Sequence, residues 1–160
     1  MTDVIDKVAG LSADEALFHA RRFRPEFVDG AEACRRSVLL PENDQGLSAA
    51  LRIALARRIA ALNADAPLTA EYDTLLDSQR PDSALRALAA GDTPQTEPLA
   101  TLARHADRIT LTPDRADASD ITRLEQAGLN NPQIVALSEL IAFVNFQTRI
   151  AAGLRLMRSV

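Results

Sequence analysis

The 160-residue chain has one cysteine, one lysine, one tyrosine, two histidines and no tryptophan. A single cysteine, Cys34, excludes an internal disulfide framework and any cysteine-based metal knuckle. His19 and His105 are too few nitrogen ligands for a histidine-rich zinc site, so neither a metal nor a cofactor is expected. Aromatic residues make up only 4% and period-two alternation persists nowhere, which removes the usual marks of a β-sheet. Eighteen bases against 22 acids leave a net charge of −4, so no pull toward nucleic acid is expected. The arginine pairs 21–22, 35–36 and 57–58 are each too short to form a nucleic-acid patch, and subunit ion pairs suit them better. No apolar run approaches the roughly 20 residues that cross a bilayer. The first residues carry acids where a secretory signal carries bases. The expectation is a cytoplasmic protein with no membrane partner. What remains is globular composition, 47% hydrophobic and 25% charged, in one domain's length of chain.

The residues that are present read as helix after helix. Ser12, with Glu15 three positions on, has the form of a capping box for a helix over 12–22. Pro25 starts a second helix that Pro41 stops. Ser48 caps a third over 49–62, with Leu51, Ala54, Leu55, Ile59 and Leu62 at helical spacing. A short fourth helix begins near Thr69 and carries Tyr72, Leu75 and Leu76. The fifth runs from Pro81-Asp82 to Gly91. Pro98 begins a helix through about Arg108, and a short one near 119–127 closes at Gly128. Asn131-Pro132 supplies a cap and a first-turn proline for a terminal helix through about Arg158. The fold class is all-α, a helical bundle. The terminal helix is apolar around nearly its whole circumference, which predicts burial on more than one side. Its length, about 40 Å at 1.5 Å per residue, makes it the central helix of the bundle, a helix shared with another subunit, or both.

The C-terminal run carries a resemblance. Ala127-Gly128-Leu129-Asn130-Asn131-Pro132-Gln133-Ile134-Val135 resembles the "aGLsd.eIv" step of carboxymuconolactone decarboxylase-like and alkylhydroperoxidase D-like proteins. Ile141-Ala142-Phe143-Val144-Asn145-Phe146-Gln147-Thr148-Arg149, then Gly153-Leu154, is similar to their "vayfnf.nR...gL" helix. His105-Ala106-Asp107-Arg108-Ile109-Thr110 with Pro113 resembles the "fAdkLt..P" segment of the peroxidase-related branch. Leu47-Ser48, Arg52 and Ala60-Ala61-Leu62-Asn63 match the "LS..eR…va.lN" helix before the family's redox centre. The likeness covers about 47–158 of a single domain, leaving residues 1–46 as an N-terminal helical extension. It implies a helical bundle that assembles into dimers, trimers or hexamers. In active relatives a CxxC pair reduces peroxides, with a glutamate and histidines relaying protons; such chemistry needs a thiolate and a resolving thiol.

The departures from that pattern matter more than the match. With Asn63 on the family asparagine, the two cysteine positions fall near Asp65 and Leu68. Pro67 stands where a histidine lies between them, Tyr72 where one lies downstream, and Ile53 near the relay glutamate. The resemblance therefore implies a divergent member without the redox centre. It would be a non-catalytic, accessory oligomeric partner of a cysteine-containing paralogue in a peroxide or antioxidant system. The alternative is a cysteine-independent enzyme of decarboxylase type, acting on a small carboxylate or lactone in the same helical pocket.

Few side chains remain as candidates for chemistry. Cys34 is either a reactive thiol with neighbouring arginines lowering its pKa, or a small half-buried packing residue. Asn145 and Arg149, four apart, face one side of the terminal helix; they form either an anion-binding pair or a structural hydrogen-bonded set. Glu139 lies further off. Tyr72 is a proton donor in a residual pocket or a packed ring. His19 is expected on a solvated face, and His105 in a capping or surface role.

Overall fold

Short polar side chains decide where these helices begin. Ser48 accepts a hydrogen bond from the Leu51 amide, Asp65 from Leu68, Asp82 from Leu85, and Asn130 from Gln133. Each satisfies one of the amides that a helix N-terminus leaves without a partner. The computed structural model describes residues 3–159. Among them it is all-helical, with no strand: α1 (Val4–Ala9), α2 (Ala16–Arg21), α3 (Pro25–Leu39), α4 (Ala49–Leu62), α5 (Ala66–Ser78), α6 (Ser83–Ala90), α7 (Leu99–Leu111), α8 (Ala118–Gln126) and α9 (Asn131–Arg158).

Most helix bounds follow the sequence signals, with a few differences. The terminal helix is capped one residue earlier than expected, by Asn130 in a capping box with Gln133. The fourth helix begins at Ala66 rather than near Thr69, because Asp65 caps it and Pro67 fits its first turn. Ser12 caps nothing. The chain turns there, and α2 is confined to six residues with Glu15 before it. The N-terminal acids belong to α1, where Asp3 and Asp6 form a capping box.

α4 lies at the centre and packs against α3, α5, α6, α7 and α9. Its Ile53, Ala54, Ala56, Ile59 and Ala60 have no exposed surface. Small alanines on this helix let its neighbours approach closely, and Leu102, Leu137, Leu140 and Val144 fill the space between. Two arginines of α4 are buried and tie loops to it. Arg52 donates to the carbonyls of Val38, Asp44 and Leu47, closing the α3–α4 connection. Arg58 forms a two-pronged pair with Asp107 of α7 at 2.6 and 2.7 Å, and also donates to the carbonyls of Leu88 and Asp92.

The N-terminal helices fold back onto the last helix, since α1, α2 and α3 all pack on α9. Ile5, Ala9, Leu11, Phe18, Ala31 and Leu154 form a second, smaller apolar cluster there. Asp6 is fully buried and is held by Arg21 and Arg22, while Arg21 also reaches Asp3 at 2.7 Å. The arginine pairs expected at a subunit boundary thus mostly serve the chain's own fold: Arg35 pairs with Glu32, and Arg57 with Asp73.

α9 corrects the membrane arithmetic. It is 28 residues long, and one 18-residue window has a mean hydropathy of 1.3, long and apolar enough to span a bilayer. Of that window 56% is buried in the bundle, so its apolarity is that of a core helix.

The α5–α9 junction is held by Asp65, 1% exposed at its side chain, which accepts from Arg155 at 2.6 Å and from the Leu68 amide. Asp65→Ala removes the carboxylate that pairs Arg155, leaving it the Val8 carbonyl alone, and uncaps one helix amide. We expect a loss of about 1–3 kcal/mol in urea unfolding, since Asp65 is buried but the Arg155 side chain left behind keeps about a third of its surface in solvent. A change below about 1 kcal/mol would mean the pair is not what fixes this junction.

Candidate functional site

Of the positions that the sequence likeness aligns with a redox centre, Pro67 is exposed, next to a shallow cleft of about 330 Å³ along Ala64, Ala66 and Thr69, and the others are buried. Ile53 and Leu68 have no exposed surface, and Asp65 is locked to Arg155. The Tyr72 hydroxyl donates to Gln147 Oε1 at 2.6 Å, and the residue is 1% exposed. Burial pushes its phenol well above the ordinary tyrosine value, so the hydroxyl stays protonated as a fixed donor. Nearby, Asn63 Nδ2 donates to Asn145 Oδ1 at 3.1 Å. Asn145 in turn donates to Thr110 Oγ1 at 3.3 Å and to the Ile141 carbonyl at 3.0 Å. Both amide hydrogens of Asn145 are therefore engaged, and the residue belongs to a structural set.

A concave site lies beside this set. A cleft of about 590 Å³ opens between α7, α8 and α9. Ile109, Ile121 and Ile141 give it apolar walls, and His105, Ser138 and Arg149 give it polar points. The structure brings Asn145 and Arg149 to the same cleft, as their four-residue spacing suggests, but in different states. Asn145 is buried and fully bonded, whereas Arg149 is exposed and has neither hydrogen bond nor ion pair among the described residues.

His105 is the residue the sequence reading placed wrongly. It is buried, 8% exposed, rather than on the surface. Its ring separates the cleft from a smaller one that Thr101, Arg104 and Arg123 also line. Burial lowers its pKa below the ordinary histidine value; Asp120 opposes that shift and Arg108 adds to it, so the ring is neutral at pH 7. The neighbouring carboxylates are already engaged: Asp120 by Arg108 and Arg123, Asp117 by Arg108 and the Ser119 amide. Only the run His105-Ala-Asp-Arg, with two charged residues beside an alanine face, hinted at the site.

Cys34 lies elsewhere, in a groove of about 780 Å³ between α3 and α9 with Phe27, Glu139, Phe143 and Phe146. It is exposed rather than half-buried. The adjacent arginines do not lower its pKa. Partial burial raises it first, and the nearby Glu139 carboxylate raises it further. Glu139, six residues before Asn145, thus belongs to this second groove. His19 is exposed on α2, with Phe18 packed edge-on against its ring. No group of three or more potential metal ligands occurs among the described residues.

A scan against protein-family models finds no match, and a search of curated proteins finds none either. The family likeness therefore rests on the sequence motifs alone.

The Cys34 environment has a direct kinetic consequence. Iodoacetamide alkylation of the folded protein should show a pH midpoint above that of the same chain in urea, with slower labelling near pH 7.5. A midpoint shifted downward would show an activated thiol.

Proposed function

We propose that this protein is a redox-inactive relative of the carboxymuconolactone decarboxylase-like and alkylhydroperoxidase D-like proteins, serving as an accessory oligomeric partner in a peroxide-related system. One observation carries the reading: the positions aligned with the family's redox residues hold Asp65 paired to Arg155, Tyr72 bonded to Gln147, buried Ile53 and Leu68, and an exposed proline, Pro67, with no thiol among them. Peroxide reduction needs a thiolate that a peroxide molecule reaches, and a second thiol or donor to resolve it. Neither is present there. The sole thiol lies in a different groove, beside a carboxylate that disfavours its ionised form.

An oligomeric role has support in the surface of α9. Val135, Phe146 and Ile150 are exposed on this helix, and Phe27 is exposed across the groove on α3. Exposed aromatic and branched residues in one strip are the composition of an association surface. A second copy or a cysteine-containing paralogue is the partner this reading requires, in the cytoplasm.

The test is peroxide consumption by the purified protein with a dithiol donor, beside Cys34→Ser, with sedimentation velocity on the same sample. We expect neither protein to exceed the protein-free rate, and the wild type to sediment as an oligomer. Turnover by the wild type that Cys34→Ser abolishes would overturn the redox-inactive role, and a monomer at micromolar concentration would remove the assembly.

A further inference from the structure

We infer that the cleft between α7, α8 and α9 binds a small organic carboxylate with an aromatic or branched apolar body, held by Arg149 and His105. The cleft's volume, about 590 Å³, falls within the range of small-molecule sites. Its walls are Ile109, Pro113, Ile121, Ile141 and Ala142, which suit an apolar body rather than a sugar or a peptide backbone.

The charges select an anion. Asp117 and Asp120 line the cleft, but Arg108 lies 2.9 Å from Asp120 and 3.4 Å from Asp117, and Arg123 lies 2.7 Å from Asp120. Two carboxylates are thus already matched by two guanidinium groups. Arg149 is the guanidinium left over, without an acidic partner among the described residues, and its planar fork suits a carboxylate bidentately. A single uncompensated guanidinium matches one negative charge, which favours a monoanion over phosphate.

His105 supplies an independent sign of a ligand. The residue is 8% exposed, and its imidazole makes no hydrogen bond to any described residue. No fully buried side-chain nitrogen or oxygen lacks a partner among the described residues, so the ring nitrogens of His105 keep some accessible surface, and the ring lines this cleft as well as the smaller one. Buried polar groups are normally hydrogen-bonded, and a neutral imidazole offers one N–H donor. Asn145 cannot take that role, since both of its amide hydrogens are engaged. The donors left for a carboxylate are the Arg149 fork and the His105 N–H. None of the residues lining the cleft is among the positions that carry the accessory role, so it stands or falls separately from that role.

The experiment titrates sodium benzoate into the full-length protein at pH 7 and follows the two histidine ring resonances by NMR. We expect a saturable shift of His105 with exposed His19 unmoved. Arg149→Gln should weaken benzoate by about tenfold or more, as loss of a charge-assisted bidentate pair does, with Arg149→Lys in between. His105→Gln, read by calorimetry, should also weaken it. Arg149 is exposed, so its variants should keep the wild-type melting curve. Benzamide, the uncharged analogue, should bind at least about tenfold more weakly, and inorganic phosphate should leave His105 unmoved. The proposal is overturned if benzoate gives no saturable shift, if Arg149→Gln binds it as well as wild type, if benzamide binds equally, or if phosphate binds more tightly.

Discussion

The polar seam along α9 fixes the rest of the structure. Three polar side chains of this helix find specific partners elsewhere in the bundle: Asn145 with Asn63 and Thr110, Gln147 with Tyr72, and Arg155 with Asp65. Apolar packing alone would let so uniformly hydrophobic a helix rotate or slide among similar fits. Buried hydrogen bonds do not allow that, because each mismatch leaves a donor or acceptor dry and without a partner. Turning α9 by one residue, about 100°, would carry all three side chains away from α4, α5 and α7 together. The seam sets the register, and the leucines and isoleucines around it then supply the bulk of the burial.

The end of α9 extends the same logic to the N-terminal helices. Arg155 donates to the Val8 carbonyl as well as to Asp65, and Arg158 pairs with Glu15 and donates to the Ala9 carbonyl. Guanidinium groups at a helix C-terminus are also favoured by the helix dipole. Below them, Leu154 joins Ile5 and Phe18 in the smaller apolar cluster. The N-terminal helices are therefore fastened to the bundle by the last turns of the chain. In that sense they complete the fold rather than decorating it.

Much of this was legible from residues, and the reasons differ by element. Caps and first-turn prolines act through neighbours in sequence, so α3, α4, α6, α8 and α9 could be bounded to within a residue or two. α1 was missed because six residues carry too little periodicity to read, although Asp3 and Asp6 form its capping box. Burial was harder. His105 sits in an alanine-rich helix that reads as bland, and only the packing of α8 and α9 over α7 encloses it. Arg149 reads as a buried arginine in an apolar run, yet it projects from the bundle to the cleft rim. The pairing of Cys34 with Glu139, 105 positions apart, exists only because α3 lies along α9.

Two neighbouring regions of one helix thus take opposite characters. Where Asn145, Gln147 and Arg155 meet Asn63, Tyr72 and Asp65, each is held by a specific hydrogen bond or ion pair. Where Arg149 points outward, a charge and an imidazole stand open to a cleft. The claim that the inward seam is structural is tested most directly by a double-mutant cycle on Tyr72→Phe and Gln147→Leu, read by urea unfolding. The account predicts a coupling of about 1–2 kcal/mol, with the double variant losing less than the two single losses combined, since it leaves no buried group without its partner. Additive losses would contradict it, because they would mean that the Tyr72 hydroxyl and Gln147 do not hold each other in the folded protein.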